Sequence, residues 1–324
     1  MKKIIIVALT VSLGLSVIKV EAQQIPQFTQ YMFNGLYINP AYAGYKENLY
    51  AHLMYRKQWI GTEGAPQTVM LGIDGDLGRG SNLGFVYAND QIGANSTNSF
   101  VLSYAFRFNV AEQARLAFGL SGGAVYYGLD KNKANNANPW VASTRNVWRP
   151  QVDVGVFFDT DPFYAGLSVM SLMSSKVDSS IISLRSVPTY FLTFGGMISL
   201  SERISIAPST LLKTDFKSPL SLDLNAMLVY AGRIWLGASY RTGGDFTFKE
   251  REASPDGLRR RNVVAIIAEV YVAENLRIGA AYDFDLNSLT TAYNGGIELS
   301  LGYYMLKPQR HYSTPRYITS RRWW

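Results

Sequence analysis

The sequence has 324 residues, a formal net charge of +7 at neutral pH and no cysteine, which excludes disulfides, zinc–thiolate sites and thiol catalysis. Its mean hydropathy of −0.01 is too polar for a bundle of membrane-spanning helices. After the N-terminal region, no segment reaches the ~18 consecutive apolar residues of a transmembrane helix. The positive residues are scattered, which favours contact with anionic surfaces over nucleic-acid binding.

The first 22 residues have the order of a cleaved secretory signal peptide. Lys2 and Lys3 precede an apolar stretch over 4–18, and a small-residue cleavage site ends at Ala22, so we expect Gln23 to begin the mature chain. An N-terminal anchor is the alternative, but the stretch is shorter than the ~20 residues that span a bilayer as a helix. Because no cysteine follows the stretch, a lipoprotein is excluded.

Residues 23–47 are rich in Gln, Asn and aromatic side chains but lack strand alternation. Two interpretations remain open: a plug or docking segment at the periplasmic mouth of a barrel, or a strap that packs on its wall for stability. Large aromatic side chains are costly to leave in water, which favours a packed segment with a turn in it. The candidate partner-binding residues of this segment are Phe28, Tyr31, Phe33, Asn39 and Pro40.

The chain from 48 to 304 alternates with period two, which predicts strands and is incompatible with helices. For example, Leu222 and Leu224 interleave with Asp223 and Asn225. Most runs have about ten residues, the length of a tilted strand that crosses a bilayer. The fourteen predicted strands are 48–58, 66–76, 82–90, 98–108, 114–128, 149–159, 163–172, 188–200, 203–213, 219–230, 233–242, 262–273, 276–286 and 294–304.

The predicted connections are alternately short and long along the whole chain. Outer-membrane barrels show this alternation because their periplasmic turns are tight while their extracellular loops can grow. A soluble β-sandwich has no reason to follow that rule. The sequence therefore predicts an all-β fold: a transmembrane antiparallel β-barrel of about fourteen strands in the outer membrane, with its apolar faces toward lipid and both termini periplasmic.

No catalytic, cofactor or metal site is predicted. The pairs Asp74/Asp76 and Asp283/Asp285 each share one strand face, and we interpret them as lumen carboxylates paired with Arg or Lys. His52 is expected to face the lumen, and the sequence contains one other histidine, too few for a zinc site. A lumen-facing His52 also argues against a lipid hydrolase, because such an enzyme acts on the lipid side of the barrel.

The C-terminal tail, 305–324, is predicted to be periplasmic. Arginine and aromatic residues anchor many protein interfaces, so the tail is either a docking surface or a disordered end. Its candidate partner-binding residues are Arg321, Arg322, Trp323 and Trp324. The loops 129–148 and 243–261 are further candidates for contact with a partner or with lipopolysaccharide.

Several segments resemble the PorP/SprF family over essentially the whole mature chain. They are QFTQYMFN at 27–34, INPAYAG at 38–44, YRKQW at 55–59, YDFD at 282–285 and NGGIELSLGY at 294–303. The tail from 307 to 324 is not covered, since many relatives stop soon after the last strand.

The resemblance implies an outer-membrane role in type IX secretion, without catalysis or cofactor. The expected partners are secreted surface proteins with a C-terminal sorting domain, such as gliding adhesins, periplasmic ring proteins of the same system, and outer-membrane lipid. The alternative is a passive porin or solute channel. A lumen plugged by residues 23–45 would favour the binding role, and an open lumen would favour the channel.

Overall fold

The computed structural model describes residues 25–130, 133, 146–173, 176–178, 183–185, 187–216, 220–243, 262–286 and 294–305. The predicted signal peptide, the tail with Arg321, Arg322, Trp323 and Trp324, and most of the loops 129–148 and 243–261 lie outside these residues. Within them, no helix is both long enough and apolar enough to cross a membrane.

Fourteen long strands build the fold, and we number them β1 to β14 in chain order. They are β1 Tyr50–Ile60, β2 Gln67–Gly78, β3 Ser81–Ile92, β4 Asn95–Ala111, β5 Ala114–Leu129, β6 Val147–Thr160, β7 Phe163–Met170, β8 Thr189–Gly196, β9 Ile204–Thr214, β10 Ser221–Tyr230, β11 Ile234–Gly243, β12 Val263–Ala273, β13 Leu276–Asp285 and β14 Asn294–Tyr304.

Each strand pairs antiparallel with the next, and β14 pairs with β1 to close the sheet into a barrel. The seam runs from Tyr50 opposite Tyr304 to Ile60 opposite Asn294. Closure leaves no unpaired sheet edge, which is what a strand protein in lipid requires. The predicted fold class, a transmembrane antiparallel barrel of about fourteen strands, is confirmed.

The two faces of the barrel differ as the alternation predicts. On β10, Leu224 and Leu228 are exposed on the outer surface, while Asp223 and Asn225 are buried inside. The same division holds on β14, where Leu299 and Leu301 point outward and Glu298 and Ser300 inward. An apolar outer wall suits lipid, and the polar lumen must find its hydrogen-bond partners within the protein.

The barrel has two distinct ends. The short-turn end carries the connections at 79–80, 112–113, 161–162, 197–203, 231–233 and 274–275, and β1 begins and β14 ends there. The long-loop end carries the other connections. One prediction fails here, because the expected long connection 91–97 is a turn of only two residues, Gly93 and Ala94, between β3 and β4. The polar run Asn95–Asn98 continues the ladder by pairing with β3, so both strands extend further than predicted.

Two other departures are small. The predicted strand 188–200 ends at Gly196 and resumes only for Ile198–Ser199, which pairs with β9. The connection after β7 contains a short hairpin of Lys176–Asp178 and Ser183–Arg185, which the alternation did not predict.

Residues 25–49 run through the lumen, and we call this segment the plug. It consists of three short helical turns, Tyr31–Phe33, Gly35–Ile38 and Pro40–Tyr42. Asn39 starts the last turn by accepting a hydrogen bond from the Ala41 N–H at 2.9 Å, with Pro40 at the first helical position. The plug enters near the long-loop end, where Ile25 accepts a bond from Lys213, and reaches β1 at the short-turn end.

Candidate functional site: the plugged lumen and its cavity

The plug is anchored to the closing seam by two carboxylates, Asp283 and Glu298. Glu298 accepts bonds from the backbone N–H groups of Thr29 (2.6 Å) and Gln30 (3.1 Å), and Asp283 accepts one from the Thr29 hydroxyl (2.7 Å). Arg56 on β1 lies 2.7 Å from Asp283 and 3.3 Å from Glu298. We call these five residues the carboxylate latch. Its members are buried, so each charge is compensated inside the lumen rather than by water.

A second contact uses the middle of the plug. The Asn39 side chain donates to the carbonyl oxygen of Val156 at 3.0 Å, and the Ser168 hydroxyl donates to the Ile38 carbonyl. Gly119 and Gly155 face this turn, and a Cβ atom at either position would overlap Ala41 or Asn39. Glycine is therefore required here by the close approach of the plug to the wall.

Near the short-turn end, charged side chains of the wall bind the last part of the plug. Arg107 donates to the Ala41 carbonyl at 3.1 Å, and Asp74 accepts a bond from the Gly44 N–H at 2.8 Å. Arg115 joins Asp159 on β6 to Glu47 of the plug. The plug is thus bonded to the wall at both ends and in the middle.

Apolar packing accompanies these bonds. The ring of Phe33 lies edge-on to Trp235, with centroids 5.5 Å apart, and Phe28 packs in the same way on Tyr37 at 5.3 Å. Tyr31 donates a hydrogen bond to Ser209 at 3.1 Å. Buried aromatic pairs of this kind add ~0.5–1.5 kcal/mol each beyond their area burial.

The sequence-predicted site residues of the plug are all brought together inside the barrel. Phe28, Tyr31, Phe33, Asn39 and Pro40 are buried against the wall or against one another. In this state of the molecule none of them is presented to a protein outside the barrel. Their role as partner-binding residues therefore remains a prediction, and it requires that the plug moves.

A lysine is buried where the plug reaches the short-turn end. Lys46 is 1% exposed, its Nζ lies 4.0 Å from the centroid of the Tyr50 ring, and it has no hydrogen-bond partner among the described residues. Burial lowers the pKa of the Lys46 ammonium well below its usual range, and the charge of Arg277 lowers it further, whereas Asp74 and Glu269 act in the opposite direction.

Beside the plug, a cavity of about 430 Å³ occupies the long-loop half of the lumen. It lies against β3 to β6 and the end of β7, and plug residues Leu36, Tyr37 and Pro40 form part of its wall. This volume is within the ~300–1,000 Å³ range of small-ligand sites.

The cavity has a mixed lining. Val86, Val101, Val125 and Met170 supply apolar surface, and Asp90 and Asp153 supply carboxylates. Sequence reasoning singled out none of these as site residues, although Gln151 and Asp153 were on the polar face of their strand. A cavity depends on how far the plug reaches across the lumen, which strand alternation does not encode.

The histidine and aspartate side chains that the sequence places in the lumen can now be located. His52 faces the lumen as predicted, and its ring stacks on Tyr50. Asp283 pairs with Arg56, as the interpretation of lumen carboxylates requires, while Asp74 binds the plug backbone. The interpretation is wrong for Asp76, which is exposed and accepts a bond from the Gly78 N–H of its own turn. Within the described ranges, no three His, Asp or Glu side chains are grouped so as to hold a metal ion.

Comparison with known proteins gives one family. The family described as "Type IX secretion system membrane protein PorP/SprF" matches residues 20–303. The matched region contains the plug and the fourteen strands as far as Tyr303. None of the curated proteins matches the chain significantly.

Solved structures with similar folds are outer-membrane barrels. Omp33 of Acinetobacter baumannii is 10% identical, with a TM-score of 0.46 over 80% of this chain and 99% of its own. The CymD monoaromatic hydrocarbon channel is 14% identical, with a TM-score of 0.47 over 83% and 91%. The KdgM porin is 7% identical, with a TM-score of 0.38 over 78% and 98%. At these scores the resemblances say nothing about what this barrel binds.

Proposed function

Because this chain belongs to the PorP/SprF family of type IX secretion system membrane proteins, we propose that it works as a plugged barrel that binds its partners. Its partners are secreted surface proteins with a C-terminal sorting domain, such as gliding adhesins, or the periplasmic ring proteins that deliver them. The barrel helps to export or anchor these proteins in the outer membrane. It does so by binding, without catalysis.

The observation that carries this proposal is the filled lumen. A barrel of this strand number has an interior wider than side chains alone fill, so its lumen is open unless another segment occupies it. Here the plug occupies it, and the carboxylate latch, Asn39 and Arg107 bond it to the wall. Such a barrel suits a role in binding better than a role in free diffusion.

A passive solute channel is the second candidate, and the cavity beside the plug favours it. The cavity shows that solutes the size of a small ligand have room in the long-loop half of the lumen. A continuous path would still require the plug to leave the contacts with Arg107 and Asp74 near the short-turn end.

The test is an affinity pull-down of the tagged full-length protein from detergent-solubilised outer membranes, with mass spectrometry of the proteins that are retained. Recovery of ring proteins or of a large protein with a sorting domain, absent from a control with an unrelated tagged barrel, supports the proposal. Recovery of neither, together with steady ion conductance in planar bilayers, contradicts it and favours the channel.

A further inference from the structure

The cavity in the long-loop half of the lumen contains a carboxylate without a cation. Asp90 on β3 lines it and accepts a hydrogen bond from the Thr68 hydroxyl at 2.7 Å. No Lys or Arg of the described residues forms an ion pair with it, and the nearby Arg56 is engaged in the latch with Asp283 and Glu298. A partly buried carboxylate is most stable with a positive partner, so Asp90 can accept one from outside.

A second carboxylate strengthens the negative field. Asp153 on β6 is completely buried and accepts bonds from Ser121 (2.6 Å), Gln151 (3.0 Å) and the Ser171 N–H (2.7 Å), all of them neutral donors. Because its oxygens are enclosed, Asp153 acts on a ligand through its charge and not by contact. Arg149 is a cation near this cavity, and its guanidinium carbon lies 5.4 Å from the ring centroid of Tyr127, another lining residue.

An independent observation also points to a ligand. Tyr37 of the plug lines the cavity, is 8% exposed, and its hydroxyl forms no hydrogen bond with any of the described residues. Burial raises the pKa of this hydroxyl, so it stays protonated and offers both a donor and an acceptor oxygen. Polar groups inside a protein normally have a hydrogen-bond partner, and a ligand in the cavity would supply one for this hydroxyl.

The rest of the lining defines the shape of the ligand. Leu36, Val86, Val101, Val125 and Met170 form apolar surface beside the two oxygen-bearing groups. Apolar walls that lead to a carboxylate suit an aliphatic stem with a cationic end, the form of a lysine or arginine side chain. A bare metal ion would be a poorer match, because it needs several oxygen ligands and no apolar wall.

We propose that this cavity binds one alkylammonium or alkylguanidinium group, with Asp90 and Tyr37 contacting the charged end and the apolar wall contacting the stem. The group is carried by a free small molecule or by a lysine or arginine side chain of a polypeptide. This inference goes beyond the proposed function and does not depend on it.

The first experiment compares two probes on the purified full-length protein in detergent, by isothermal titration calorimetry. The probes are the Nα-acetyl derivatives of L-argininamide and L-citrullinamide, called argininamide and citrullinamide below, which have similar shapes and differ only in the charge of the side chain. We expect argininamide to bind at least about tenfold more tightly, as a charge-assisted bond to a carboxylate implies. Equal binding of the two, or no binding of argininamide, would overturn the proposal.

Two variants locate the site. Asp90→Asn keeps the shape and removes the charge, and Tyr37→Phe removes only the hydroxyl; each is expected to weaken argininamide binding about tenfold or more. The matched control is Asp76→Asn, the same change at an exposed residue near the short-turn end. Far-UV circular dichroism and thermal unfolding verify the fold of each variant. Unchanged binding by folded Asp90→Asn protein would contradict the assignment.

The source of the cationic group is decided by a third probe, the peptide Gly-Gly-Arg-Gly-Gly with blocked ends. If the peptide binds more tightly than argininamide and loses this binding in Asp90→Asn, the natural ligand is a polypeptide side chain. If argininamide binds more tightly than the peptide, and again depends on Asp90, the ligand is a free small molecule. Because no secretion partner is present, these results are independent of the pull-down.

Discussion

The carboxylate of Glu298, on the last strand of the barrel, accepts a hydrogen bond from the backbone N–H of Thr29 in the plug at 2.6 Å. Glu298 is also the register partner of Arg56 across the seam between β14 and β1. One buried carboxylate therefore joins the segment that fills the lumen to the two strands that close it. Closure of the barrel and seating of the plug are coupled at this point.

Replacement of Glu298 by glutamine should loosen the plug. The change removes the charge that accepts from Thr29 and Gln30 and that faces Arg56, and hydrogen bonds to charged groups contribute ~1.5–3 kcal/mol. We expect a lower midpoint of thermal unfolding and transient ion conductance in planar bilayers. The matched control, Glu274→Gln at an exposed turn, should change neither. Unaltered stability and conductance in Glu298→Gln would show that the latch does not hold the plug.

A methyl group at Gly119 should displace the plug without disturbing the sheet. The Cβ of Gly119→Ala would overlap backbone atoms of Pro40 and Ala41, which cannot move away as a flexible side chain could. Overpacking of this kind costs ~1–3 kcal/mol. The control is Gly122→Ala on the same strand, where a Cβ meets nothing within 4 Å. Thermal unfolding is the measurement, and equal melting temperatures for the two variants would contradict the observed path of the plug.

The orientation of the barrel can be tested by cysteine labelling, since the chain has no cysteine of its own. We propose that the long-loop end faces the cell exterior, as in outer-membrane barrels generally. A membrane-impermeant maleimide should label Phe216→Cys, between β9 and β10, on intact cells. It should label Glu112→Cys, in the turn between β4 and β5, only after permeabilisation. The reverse pattern would place the short turns outside and contradict periplasmic termini.

Lys46→Met should leave stability unchanged or raise it. Methionine keeps the packing on Tyr50 and removes an ammonium that has no hydrogen-bond partner among the described residues. Because burial lowers the pKa of Lys46 in the folded state, the unfolded chain binds its proton more readily. The wild-type protein therefore gains stability relative to Lys46→Met as the pH rises toward 10.5, the usual pKa of a lysine side chain.

Thermal unfolding of the wild type and of Lys46→Met at several pH values tests the direction of this pH effect. We expect the advantage of Lys46→Met over the wild type to be largest near neutral pH and to shrink in alkaline buffer. The charges of Arg277, Asp74 and Glu269, which act on Lys46, are present in both proteins. A wild-type protein that is more stable than the variant at neutral pH would mean that Lys46 is charged and well compensated.

Much of the wall could be predicted from the sequence because a membrane barrel imposes one rule on every strand. Residues such as Leu224 and Asp223 must face lipid and lumen in turn, so period-two alternation encodes both the strand and its orientation. The extension of β3 and β4 was not predicted because Asn95, Ser96 and Thr97 are polar, which is typical of a loop, yet they pair with β3 in the ladder. Tyr50 and Tyr304, at the ends of their strands, pack on each other inside the barrel, with ring centroids 4.7 Å apart.

The interior was harder to predict. Residues 23–47 were expected to be either a plug or a strap, and composition alone could not distinguish these, since both would bury Phe28 and Phe33. Bonds such as Thr29 to Glu298 join residues far apart in the sequence, and no local pattern specifies which lumen group a plug residue meets. The cavity lined by Asp90 and Tyr37 is the space that the plug leaves unfilled in the lumen. It could not be predicted without knowing the course of the plug.

The most direct test of the central claim, that this is a barrel with a closed lumen, is the conductance of the purified full-length protein in planar lipid bilayers. The bonds that hold the plug predict no steady ion conductance for the wild type, and a measurable conductance once the latch is weakened in Glu298→Gln. A steady, porin-like conductance of the unmodified protein would contradict the account, because it would require an open path past the plug.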